Sequence, residues 1–153
     1  DRVLVIEQLR IGPLARGAPR PWLLEAIAGR VDPGETPEET VRREAREEAG
    51  LTLGPLVPVA GYYPSPGALS EYVQSFVAPV SLEGVSGGVH GLRQEGEDIR
   101  SLVLPLDEAM AMLDAGTIVS APLVVSLLWL DRARARQRRG LTNALLPRSS
   151  GAP

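Results

Sequence analysis

Residues 36–50 constrain this chain more than any other stretch. Thr36 precedes Pro37, Glu39 lies three positions after Thr36, and Gly50 closes the run. A threonine hydroxyl can accept from the amide three residues on, while a glutamate there bonds back to the cap. Proline suits the first helical position, where its missing N–H loses no bond, and glycine readily takes the left-handed conformation that ends a helix. The spacing predicts a helix over residues 37–49 with both ends specified.

Strand signals flank that helix. Residues 3–9 are β-branched and aliphatic, the pattern of a buried strand, and residues 22–28 read as a second. Between them, residues 12–21 are rich in Gly, Pro and Arg and read as a loop. Residues 51–60 and 71–80 suggest further strands around the turn-rich Tyr62-Tyr63-Pro64-Ser65-Pro66-Gly67. Residues 81–97 form a Gly- and Glu-rich loop carrying His90, and 100–106 a last short strand. Helices over 106–115 and 121–138 follow, then a tail over 140–153 with no periodicity, expected to be mobile. No repeat or linker splits residues 1–139. Strands interleaved with helices predict an α/β layered domain.

Composition narrows the chemistry. The chain has 153 residues, no cysteine and one histidine. That excludes disulfides, thiolate metal sites and a histidine-built zinc site. A bound metal must take oxygen ligands, which points to Mg²⁺ or Mn²⁺. All 16 basic residues are arginine, so lysine chemistry is excluded. The net charge of −3 gives no global case for nucleic acid. No run reaches the ~20 apolar residues of a membrane span, and the opening Asp1-Arg2-Val3-Leu4 has no signal-peptide character. The expectation is a cytoplasmic protein, with residues ahead of Asp1 missing because there is no initiator methionine.

The acidic helix has two kinds of carboxylate. Glu38 and Glu39 each have an arginine four residues on, Arg42 and Arg43, in the favourable acid-before-base order, and are expected to form a solvated, paired face. Glu44 and Glu48 have no arginine three or four positions away, and they lie near the helix C-terminus, where the dipole disfavours anions. A divalent cation against that face would relieve the repulsion; Glu47, with Arg43 four residues back, can be both paired and near it.

The residues then match a known family. Gly29, Glu35, Arg43-Glu44-Ala45, Glu47-Glu48 and Gly50-Leu51, with five residues between Gly29 and Glu35 and seven between Glu35 and Arg43, resemble the Nudix box. Ala45 stands where that box generally carries a bulkier aliphatic residue. Ile6-Glu7-Gln8-Leu9-Arg10, Trp22-Leu23-Leu24-Glu25, Ser65-Pro66-Gly67 with Glu71, and Glu95-Gly96-Glu97-Asp98-Ile99-Arg100 are similar to the bacterial ADP-ribose pyrophosphatase branch. Pro66, about fifteen residues past the box, is that branch's marker. The resemblance implies a Nudix domain over residues 1–139, an α/β/α sandwich around a mixed sheet, usually homodimeric, lacking its N-terminal part here. It implies Mg²⁺-dependent hydrolysis of ADP-ribose to AMP and ribose 5-phosphate. Glu44, Glu47, Glu48, the Ala28 carbonyl and Glu97 would hold metal, with Arg43 bracing the box by an ion pair. Arg10 would contact the diphosphate, while Glu25, Ser65, Pro66 and Gly67 would line the substrate site; the plainer alternatives are that Glu25 pairs with an arginine and that Pro66 and Gly67 simply make a turn. Glu95, or Glu97, would be the base that activates water.

Plainer readings stand beside these. His90 reads as a surface or turn residue, Trp22 as core rather than a base platform, and Tyr62 and Tyr63 as packing or base-stacking groups. Arg132, Arg134, Arg136, Arg138 and Arg139 read as the solvated, dipole-favoured end of the last helix rather than a nucleic-acid patch. Hydrolysis of another nucleoside diphosphate sugar, such as GDP-mannose, is the nearest alternative activity. A Nudix domain that binds nucleotide without cleaving it is a further one, disfavoured by the full set Glu44, Glu47, Glu48 and Glu95.

Overall fold

A computed structural model describes residues 1–83, 85, 87–90 and 98–139, with residues 89 and 90 described by backbone alone. Its elements run β1 (Arg2–Leu9), α1 (Ile11–Ala15), β2 (Trp22–Glu25), α2 (Pro37–Ala49), β3 (Val57–Tyr62), β4 (Val73–Val77), β5 (Gly88–His90), β6 (Ile99–Pro105), α3 (Leu106–Asp114) and α4 (Ala121–Arg138). Four strands form one sheet in the order β2-β1-β6-β5, and β3 and β4 form a second, two-stranded sheet.

β1 is central to the larger sheet and apolar on both faces, as a strand covered on two sides must be. Successive side chains alternate across a strand. On one side, Val3 and Val5 pack with Leu24, Leu102 and Leu104 against Leu106 and Ala109 of α3 and Leu123 and Leu127 of α4. On the other, Leu4 and Ile27 pack against Ala45, Ala49 and Leu51 at the end of α2. Val5 and Ile6 are completely buried, and each such side chain stabilises the fold by ~1.5–3 kcal/mol. The result is the expected α/β/α layering. Every ladder among the described residues is antiparallel. The parallel pairing that a mixed sheet requires is not among them. An apolar cavity of about 620 Å³ is lined by residues of β1, α2, β4 and α4, among them Leu4, Ala45, Val77 and Leu127. No helix among the described residues is long and apolar enough to cross a membrane.

The capping residues of α2 act as the spacing predicts. Glu39 N–H donates to the Thr36 hydroxyl oxygen at 3.3 Å, and Thr36 N–H donates to the Glu39 carboxylate at 2.8 Å. Caps of this kind contribute about 1 kcal/mol. Gly50 sits at φ +65°, a left-handed geometry that lets Leu51 N–H reach the Ala45 carbonyl at 2.9 Å.

Several boundaries differ from expectation. β2 ends at Glu25 rather than 28, because the chain then leaves the sheet to bring Ala28 and Gly29 under α2. Residues 51–56 form no strand. Their backbone is engaged elsewhere: Arg42 donates to the carbonyls of Leu53 and Gly54, and Gly54 N–H to Pro79. The expected loop at 12–21 begins inside α1, which tolerates Pro13 because its first turn needs no proline N–H. His90 lies on β5, paired with Ile99, not in a loop. Trp22 is 43% exposed at the open edge of the sheet, so it is not a core residue. Arg132, Arg136, Arg138 and Arg139 are exposed as expected. Arg134 instead braces α4, paired with Asp1 at 3.0 Å and Asp107 at 2.7 Å. Residues 140–153 lie outside the described residues.

Candidate active site

The site grows from α2 and the loop that β2 feeds beneath it. Arg43 projects from the middle of the helix and gathers four groups. Its Nε and Nη2 donate to the two Glu35 oxygens at 2.9 and 3.0 Å. Its Nη1 donates to Glu44 Oε1 at 2.7 Å and Glu47 Oε2 at 3.1 Å, and Nη2 also reaches the Arg30 carbonyl at 3.2 Å. A planar, always-charged guanidinium can serve several carboxylates at fixed angles, which an ammonium cannot.

This arrangement corrects the expected surface pairs. Arg42 caps backbone carbonyls instead of meeting Glu38, and Arg43 meets Glu35, Glu44 and Glu47 instead of Glu39, whose carboxylate is bound to Thr36. Glu44 has an arginine after all, its immediate neighbour. Helical spacing does not anticipate this, since adjacent side chains do not normally face each other.

Glu35, not assigned a role from the sequence, is the principal partner of Arg43. Bonds from Arg43, then from the Thr40 hydroxyl, lower its pKa from the usual 4.5 to about 2. Arg43 is correspondingly raised above the ordinary guanidinium range, chiefly by Glu35. In the unfolded chain Glu35 titrates near 4.5, so between pH 4.5 and 2 the unfolded state binds more protons. The contribution is therefore complete above about pH 4.5 and lost as pH falls toward 2. Urea melts across that window should show a steeper acid loss of stability for the natural chain than for Glu35→Gln. Coincident acid limbs would show that the bond does not act on folding.

Glu44 and Glu48 occupy unusual surroundings. Gly29 has no side chain where one would collide with the Glu44 carboxylate, so that carboxylate lies directly on the Gly29 backbone. Glu48 is 3% exposed on the same helix face as the buried Ala45 and Ala49, and its Oε2 accepts from Ala28 N–H at 3.3 Å. A buried carboxylate is costly unless partnered, and this one lies on the helix face turned to the core. Among the described residues no three acidic or histidine side chains stand as a preformed metal cage. Glu44 and Glu47 address Arg43, and Glu48 addresses Ala28. The donor set is all carboxylate oxygen beside backbone, the chemistry hard divalent cations take.

The expected substrate residues fall into two places. Arg10, just past β1, is held by Glu25 at the end of β2 through contacts of 2.6, 3.0 and 3.2 Å. Gln8, also unassigned from the sequence, donates to the same carboxylate at 3.3 Å. Ser65, Pro66 and Gly67 form a turn between β3 and β4, half-buried at Ser65 and exposed at Pro66 and Gly67, where the Ser65 carbonyl accepts from Ala68 and Leu69. Among the described residues no hydrogen bond joins that turn to the α2 carboxylates. Beside it, Tyr63 and Tyr72 meet edge-on with ring centres 5.0 Å apart. The Tyr62 hydroxyl is buried without a partner among the described residues. Glu95 and Glu97 lie outside the described residues.

An α/β/α layering with an arginine-braced carboxylate helix over a Gly-containing loop agrees with the family match: the NUDIX domain model aligns over residues 1–126, and the chain belongs to the Nudix family. Among characterised proteins it is 42% identical over 131 residues to the ADP-ribose pyrophosphatase of Escherichia coli K12, covering 86% of this chain and 62% of that protein. The ADP-ribose pyrophosphatase of Haemophilus influenzae is 37% identical over 133 residues, covering 86% and 61%. The GDP-mannose pyrophosphatase of Citrobacter koseri is 36% identical over 131 residues, covering 84% and 65%. The chain thus spans just under two thirds of the length of these relatives. Nudix hydrolases generally need a divalent metal.

Proposed function

We propose that this chain hydrolyses the diphosphate of ADP-ribose, with Mg²⁺ or Mn²⁺, to AMP and ribose 5-phosphate. The observation that carries the reading is Arg43 bracing Glu44 and Glu47 on α2, while Glu44 lies on the Gly29 backbone and Glu48 accepts from Ala28 N–H. Glu44, Glu47, Glu48 and the Ala28 carbonyl would hold the cation. A divalent cation bound there supplies charge neutralisation of the diphosphate oxygens and a lowered water pKa. Arg10 binds the diphosphate as a fixed cation, and the Ser65–Pro66–Gly67 turn lines the substrate site. Glu95, or Glu97, takes the proton from the attacking water. The 42% identity to the ADP-ribose pyrophosphatase of Escherichia coli K12, against 33–39% for the GDP-mannose pyrophosphatases matched, favours ADP-ribose. The latter keep GDP-mannose as the second reading, because the box engages diphosphate rather than base.

Phosphate release, coupled to a phosphatase, separates these readings on a panel of ADP-ribose, GDP-mannose, UDP-glucose, NADH and dGTP. ADP-ribose should give the highest kcat/KM, and a chelator should abolish turnover. Preference for GDP-mannose would transfer the assignment to that substrate. No turnover of any member would leave a binding domain.

A further inference from the structure

We infer that Glu25 is a positioning residue for Arg10: a buried carboxylate that aims the guanidinium at an anionic ligand and does not itself bind one. The inference rests on the diphosphate reading of the site and adds how that ligand's cation is oriented.

The sheet register carries it. Glu25 pairs with Ile6, and Ile6 lies on the same face of β1 as Leu4, which packs against α2. Cross-strand partners share a face, so Glu25 lies on the side of the sheet that bears the acidic helix. Arg10 keeps extended geometry at φ −117°, ψ 125°, and its N–H donates to the Pro21 carbonyl at 3.0 Å, so the alternation continues past the end of β1. Ile6, Gln8 and Arg10 therefore follow one another along that face. Three residues beyond Glu25, Ala28 meets Glu48. One short segment thus supplies both the clamp on Arg10 and the support of a box carboxylate.

Burial assigns the roles. The Glu25 side chain is 9% exposed and that of Arg10 is 44% exposed. Glu25 spans the Nε–Nη2 edge of the guanidinium, and Gln8 donates to the same carboxylate. A fork held on one edge keeps a defined plane, and a planar cation recognises phosphate oxygens by direction as well as charge. An unclamped arginine must lose side-chain freedom on binding, which weakens the complex.

Binding of ADP with Mg²⁺, measured by calorimetry, tests the inference whatever substrate the enzyme turns over. Glu25→Gln should weaken ADP about tenfold, raise KM for ADP-ribose by a similar factor and move kcat less than about threefold. Gln8→Met should act in the same direction by a smaller factor, a check should Glu25→Gln fold poorly. Arg10→Ala should weaken ADP further, and adding Glu25→Gln to it should change nothing more, because the carboxylate acts only through Arg10. Unchanged ADP affinity in folded Glu25→Gln would overturn the proposal, as would a tenfold loss that persists in the Arg10→Ala background. Natural protein that binds ADP but leaves ADP-ribose intact would sink the catalytic assignment and leave this inference standing.

Discussion

Glu44→Gln is expected to lower kcat/KM about a thousandfold while leaving the protein folded. Metal assistance is worth several kcal/mol of transition-state stabilisation, and each 1.36 kcal/mol is tenfold in rate. Glutamine matches glutamate in size, so contact with Gly29 is kept and only the anionic oxygen is lost. Arg43 retains Glu35 and Glu47, which holds α2 and the loop together. Without divalent ions the melting temperature should stay close to that of the natural chain. Added Mg²⁺ should raise the natural chain's melting temperature, as any ligand of the native state does. That increment should shrink in the variant. Activity within tenfold of the natural chain would remove Glu44 from the metal-binding set.

How much of this was legible in the sequence depended on the range of the interactions. α2 was readable to the residue because its signals are local: Thr36 and Glu39 bond to each other, and Gly50 answers only to its own φ. The apolar run of β1 likewise announced a buried strand, and the structure adds that both its faces are covered. Reach beyond a helical turn was not readable. Arg42 and Arg43 pass over Glu38 and Glu39 for partners up to thirteen residues away, because a long guanidinium that finds a carboxylate or carbonyl in a part-buried site does better than in a solvated pair. β2 looked longer than it is because Ala26 and Ile27 are apolar. They are apolar to pack beneath helices, not to extend a ladder. Trp22 was read as core from its hydrophobicity, yet edge position decided its exposure. Glu25 was weighed as an arginine partner or a wall of the substrate site, with the second preferred, and the structure shows the first with Arg10 as the partner.

Gly29→Ala should reduce kcat/KM about a hundredfold with only a modest loss of stability. The φ of Gly29 is not positive, so its backbone conformation is open to alanine and the obstacle is steric alone. The new methyl would fall where the Glu44 carboxylate lies, and that carboxylate is tied to Arg43 at 2.7 Å. Either Glu44 swings away, or the loop backs off and draws Ala28 from Glu48. Both displace a proposed metal ligand by about an ångström, enough to cost ~10²-fold in a positioned reaction. Overpacking of this kind costs about 1–3 kcal/mol in a closed core, and the lower end applies here because one neighbour is a flexible side-chain end. A double-mutant cycle with Glu44→Ala identifies which group yields. With the carboxylate gone there is room for the methyl, so Gly29→Ala should cost almost nothing further. If the hundredfold loss persisted in that background, contact with Glu44 would not be what requires a glycine at position 29, and the displaced partner would be Glu48.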